Sequence, residues 1–60
     1  MLYVAGEDIG AFDTVVISAI DGKAYRAGVV AGTLLGNAVE NLREGFRVIE
    51  KDGEVREDDA

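Results

Sequence analysis

Thr14-Val15-Val16-Ile17-Ser18-Ala19-Ile20 runs into Asp21-Gly22 and leaves through Lys23-Ala24-Tyr25-Arg26-Ala27. An Asp-Gly pair between two β-rich runs marks a tight hairpin with positive φ at the turn. The pattern returns at the other end of the chain. There Asp52-Gly53 separates Phe46-Arg47-Val48-Ile49-Glu50-Lys51 from Glu54-Val55-Arg56. The far arm of this second hairpin is short and polar, which places it at a sheet edge. Phe46 follows Gly45 at a strand start and reads as core.

Between the hairpins lies Gly28-Val29-Val30-Ala31-Gly32-Thr33-Leu34-Leu35-Gly36-Asn37-Ala38-Val39. Its glycines argue against a helix, since each interior Gly costs about 1 kcal/mol relative to Ala. The stretch predicts a turn over 28–32 and a strand over 33–39, bulged or kinked at Gly36. The best helix candidate is Val39-Glu40-Asn41-Leu42-Arg43-Glu44, stopped by Gly45. Six residues make one turn at most, a connector and not a fold-bearing element. The fold class is therefore all-β: a β-clip-like small barrel or sandwich of short strands and hairpins. Residues 1–56 form one domain and residues 57–60 an acidic tail.

The chain also echoes itself. Glu7-Asp8-Ile9, Thr14-Val15-Val16 and Asp21-Gly22 in the first half answer to Glu40-Asn41-Leu42, Arg47-Val48-Ile49 and Asp52-Gly53 in the second. The loop and strand are offset by thirty-three residues and the turn by thirty-one, so a two-residue gap is needed. Any two hairpins look somewhat alike, and duplication and coincidence both fit this pattern.

Composition narrows the chemistry. The 60 residues include no Cys, His or Pro. That removes disulfides, thiolate and imidazole metal sites, and triads built on His or Cys. Carboxylates cluster at Glu7-Asp8, Asp52/Glu54 and Glu57-Asp58-Asp59, but in polar loops or the tail, where ionised solvation is expected. A general acid needs burial to raise its pKa. No interleaved calcium loop is present, Ser18 has no His partner, and the Gly28–Gly32 stretch lacks the Gly-Lys and helix of a phosphate loop. No catalytic, cofactor or metal residues are expected, and no enzyme.

The formal charge is −6, from 6 Lys and Arg against 12 Asp and Glu. The bases are scattered, each with an acid close by, so neither nucleic acid nor an anionic membrane is an expected partner. The start, Met1-Leu2-Tyr3-Val4, lacks the basic flank and long apolar run of a signal peptide. It is expected either to form a strand here or to augment a neighbour's sheet. A chain of this size buries only about 60% of its unfolded surface. With no disulfide or metal to staple it, association is the expected remedy. Phe12, in the loop Gly10-Ala11-Phe12-Asp13, either tucks under that loop or protrudes to a neighbour. The candidate interface is Met1, Leu2, Tyr3, Phe12, Leu34 and Leu35.

Ala5-Gly6-Glu7-Asp8-Ile9, Val15-Val16 and the hairpin from Asp21 to Ala27 are followed by Gly36-Asn37-Ala38-Val39-Glu40-Asn41, Gly45 and Phe46-Arg47-Val48-Ile49. This succession resembles the small decoration (cement, head-stabilising) proteins of tailed-phage capsids, across residues 4 to 56. The resemblance implies a non-enzymatic β protein, commonly trimeric. It would be made in the host cytoplasm and carried on the virion's capsid surface, with the major capsid protein as partner. Two rivals come from other classes: a β-clip-like ligand- or carbohydrate-binding module, and a small ring-forming regulatory β-barrel.

Overall fold

A computed structural model describes residues 2–59; Met1, and with it one candidate interface residue, lies outside the described residues. The chain is all-β. Its strands are β1 Leu2–Val4, β2 Thr14–Ser18, β3 Ala24–Arg26, β4 Gly32–Ala38, β5 Arg47–Lys51 and β6 Glu54–Glu57. They form one sheet in the order β1-β5-β6-β4-β2-β3. Only β4 and β6 pair in parallel; every other neighbour is antiparallel. The two end strands meet through an Ala5–Ala24 bridge, where the Gly6 N–H donates to the Ala24 carbonyl at 2.8 Å. The sheet thus curls round on itself as a small barrel, which covers part of both edges.

The hairpin at Asp52-Gly53 is as tight as its sequence predicts. Both residues have positive φ, 53° and 81°, so a two-residue turn joins Lys51 to its partner Glu54. The hairpin at Asp21-Gly22 is wider. Ala19–Gly22 forms a four-residue loop closed by the Ser18 N–H on the Lys23 carbonyl, and of the Asp-Gly pair only Gly22 has positive φ.

The strand expected over 33–39 is β4, and its pairing with β2 shifts register between Val15 and Val16. Val15 faces Gly36 and Val16 faces Leu34, so Leu35 is the bulged residue beside the expected Gly36.

Three expectations are corrected. The polar far arm of the second hairpin is not an edge: β6 lies between β5 and β4, with Val55 fully buried and Glu57 half-buried against Arg43, while Glu54 and Arg56 face water. No helix forms over 39–44. The Leu42 N–H and carbonyl are both engaged by Ile9, which draws the segment into an extended pairing across the molecule. Phe46 is not core: it is 47% exposed, with the Arg43 guanidinium 3.8 Å from its ring centroid.

The echo between the halves is real in three dimensions. β1, β2 and β3 take the same places in the first half as β4, β5 and β6 in the second, and each half is completed by the other: β1 pairs with β5 and β4 with β2. Hydrogen bonds come in matched pairs. Phe12 N–H to Ala38 O is answered by Gly45 N–H to Ala5 O, and Ala27 N–H to Thr14 O by Asp58 N–H to Arg47 O. The Asp8 carboxylate accepts from the Glu44 N–H, as the Asn41 side-chain oxygen accepts from the Ala11 N–H. The buried apolar core consists of the matched positions Ala5 and Ala38, Ile9 and Leu42, Val15 and Val48, and Ala24 and Val55. A pseudo-two-fold axis therefore passes between Ile9 and Leu42, which bond to each other. Ala19-Ile20 supplies the gap the alignment needs.

Candidate functional site

The polar side chains that invite a chemical reading are occupied in building the barrel. Glu7 reaches Arg26 twice, accepting from its backbone N–H at 2.8 Å and from its guanidinium at 3.0 Å. Partial burial alone would raise the Glu7 carboxyl; the Arg26 hydrogen bonds and charge outweigh that and hold it below the ordinary range. Glu57 accepts from the Arg43 backbone N–H and in bidentate fashion from its guanidinium, which lowers the Glu57 carboxyl and raises Arg43. Asp21 accepts from the Tyr25 O–H and the Lys23 N–H, so its carboxyl is lowered and the Tyr25 phenol raised. Each carboxylate accepts hydrogen bonds in its charged form, the opposite of what raises a general acid.

The other candidate groups follow suit. Ser18 is buried and its Oγ accepts from the Ile20 N–H, closing the hairpin loop. Glu54 pairs with Arg56 at 3.0 Å. Glu57 is the last residue of β6, and the Asp58 N–H bonds to Arg47 across the sheet, so the acidic end begins inside the barrel. Among the described residues no group of acids is arranged to hold a metal ion. A hollow of about 370 Å³ is lined by Asp13, Thr14, Arg26, Ala27 and Val29. Its Arg26 is paired with Glu7, Asp13 holds the Gly10 N–H, and the Thr14 hydroxyl accepts from Asn37.

Beside these braces the surface carries large exposed apolar side chains. Phe12 does not tuck under its loop: it protrudes, 83% exposed. Leu34 is 68% and Leu2 51% exposed. Residues opposite one another on neighbouring strands share a face. Leu34, Val16 and Tyr25 thus make one outward row, and Leu2, Ile49 and Arg56 its counterpart. Tyr3 and Leu35 are half-buried against the core, so much of their apolar surface already serves the fold. The candidate interface residues come from different elements: Phe12 sits on a loop, Leu2 and Leu34 on separate strands, Tyr3 and Leu35 at the core margin.

Sequence reading missed Ile20, which is 92% exposed, and Val29 and Phe46, which are half-exposed. The signal for Ile20 lay in the two-residue gap between the halves, since an insertion in a hairpin has nowhere to go but outward. Comparison of the chain with protein-family models, curated proteins and solved structures finds no match.

Proposed function

We propose that this chain is a non-enzymatic structural protein that docks on the outside of a tailed-phage head and strengthens the shell as a decoration protein. The observation that carries the reading is the division of labour on its surface. Glu7, Arg26, Arg43 and Glu57 brace the loops, while large apolar side chains, Ile20 and Phe12 above all, point into solvent. A chain built to turn over a substrate needs the reverse, polar groups held ready in a cavity. The sequence resemblance over residues 4 to 56 supplies the kind of surface to be met, the outer face of the major capsid protein. Because the chain is small and acidic, it adds area to a shell without attraction for the packaged nucleic acid. Binding to the intact shell and not to its disrupted form stabilises the shell by mass action, about 2.7 kcal/mol per site at a hundred-fold excess over Kd. Self-association, as a trimer, belongs to the same reading.

The test is co-sedimentation with expanded shells that lack their decoration protein, with light scattering on the unbound chain. The expected result is saturable binding at micromolar concentration and shells that resist heat better when coated. A chain that stays in the supernatant with every such shell, as a monomer, overturns the reading.

A further inference from the structure

The two halves of the barrel are a comparison built into one molecule: where they differ, the fold itself does not dictate the difference. Phe12 has φ 75°, a left-handed conformation that a Cβ disfavours, and its counterpart is Gly45 at φ 84°. The two positions donate equivalent hydrogen bonds, to Ala38 and to Ala5, so the backbone there needs only a glycine. Ala19-Ile20 has no counterpart: the second hairpin closes with two residues at Asp52-Gly53. Phe12 and Ile20 are also the two most exposed large apolar side chains among the described residues. The second half shows that a barrel of this kind closes without either. Phe46 differs from its counterpart Asp13 as well, but Arg43 covers its ring. Nothing comparable covers Phe12.

Each of the two residues is followed by an aspartate fixed by its own loop. The Asp13 carboxylate accepts from the Gly10 N–H, and that of Asp21 from the Lys23 N–H and the Tyr25 O–H. Each apolar tip therefore has a carboxylate at its base, Asp13 near an Arg26 already paired with Glu7 and Asp21 near Lys23, on a chain with twice as many acids as bases. The tips leave β2 at its two ends. They are eight residue steps apart, at most about 26 Å at about 3.3 Å per residue. We propose that Phe12 and Ile20 are paired contact points, each entering an apolar pocket rimmed by lysine or arginine on the partner's surface. The inference rests on the decoration reading, because the capsid surface supplies the partner. It deepens that reading by naming the contacts and the chemistry that receives them.

Two full-length variants test it against decoration-free shells, with thermal melting run alongside. Phe12→Gly copies position 45, and deletion of Ala19-Ile20 copies the second hairpin; Ile20→Ser replaces the deletion should the shortened loop fail to fold. Buried apolar anchors dominate interface energetics, so each variant is expected to bind at least about ten-fold more weakly. Phe12→Gly is expected to melt no lower than the parent chain. Shell binding should also weaken more steeply with added salt than buried apolar contact alone would give. Parent and variants binding equally overturns the inference and leaves the decoration reading standing. A Phe12→Gly variant that melts lower in step with its loss of binding also overturns it, since Phe12 would then serve the fold. Failure of the parent chain itself to bind removes the decoration reading and this inference with it.

Discussion

Ile9 and Leu42 exchange both backbone hydrogen bonds, each at 2.8 Å, and their side chains are both buried in the core. The pair joins the loop of one half to the loop of the other, on the line about which the halves repeat. Trimming Ile9 to Val removes one methylene and is expected to cost about 1 kcal/mol; Leu42→Ala should cost about 2–5 kcal/mol. In a domain this small each kcal/mol lowers Tm by about 4–8 °C. Leu42→Ala should therefore lower Tm by about 8–40 °C and Ile9→Val by about 4–8 °C. Circular dichroism melts read both. Equal, small shifts for the two would mean that the core does not depend on this pair.

Gly36 is set by a close approach. A Cβ added there would run into the Gly53 carbonyl, the group that accepts the Asn37 N–H in the parallel β4–β6 pairing. The obstruction is backbone against backbone, with no flexible side chain to give way. Gly36→Ala is expected to destabilise by about 1–3 kcal/mol, the usual range for overpacking. Amide exchange should quicken first at Asn37 and Val39, whose N–H groups bond to Gly53 and Val55. A variant with unchanged Tm and unchanged exchange would show that β4 and β6 can part without loss.

Ser18 holds open the wider of the two hairpins. Its Oγ accepts from the Ile20 N–H at 3.1 Å, with the Asp21 N–H also in reach at 3.5 Å, in a loop two residues longer than its counterpart. Ser18→Ala should cost about 1 kcal/mol, the net worth of one hydrogen bond, and loosen residues 19–22. The readout is faster exchange of the Ile20 and Asp21 amides with the second hairpin unaffected. Uniform loosening of both hairpins would argue that Ser18 acts through the core instead.

Both hairpins were legible in the sequence because Asp-Gly between apolar runs is a local signal, and so was β4, whose glycines rule out a helix. The path of residues 39–44 was not. Its helix-like composition is local, while the Leu42–Ile9 pairing that decides it comes from thirty-three residues away. The burial of β6 was hidden for the same reason: Glu54, Arg56 and Glu57 make the strand look exposed, while the buried Val55 and the Arg43–Glu57 brace that hold it inside the sheet depend on distant partners. Phe46 misled because an aromatic at a strand start is usually core, and here a cation covers it instead. The repeat was visible in outline, but only the matched hydrogen bonds separate it from the ordinary likeness of two hairpins. Of the candidate contacts, Phe12 was found through its odd position in a polar loop. Ile20 was overlooked because it continued an apolar strand.

The brace between Arg43 and Glu57 makes the barrel sensitive to acid. Glu57 and Glu7 both titrate below the ordinary value of 4.5 in the folded chain, Glu57 chiefly through its hydrogen bonds from Arg43 and Glu7 through Arg26 against the opposing effect of burial. A carboxyl lowered on folding stabilises the fold fully above its unfolded pKa, and the contribution fades as pH falls through the folded value. Stability should thus be level near neutrality and decline below about pH 4.5. Protonation also relieves the repulsion of a chain with net charge −6, which works in the other direction. Glu57→Gln separates the two effects. It removes the brace's titration and leaves most of the acidic charge in place, so its Tm should lie below the parent's at pH 7 and approach it at pH 3. Parallel curves with a constant offset would mean that Glu57 contributes packing and no charge-dependent stability.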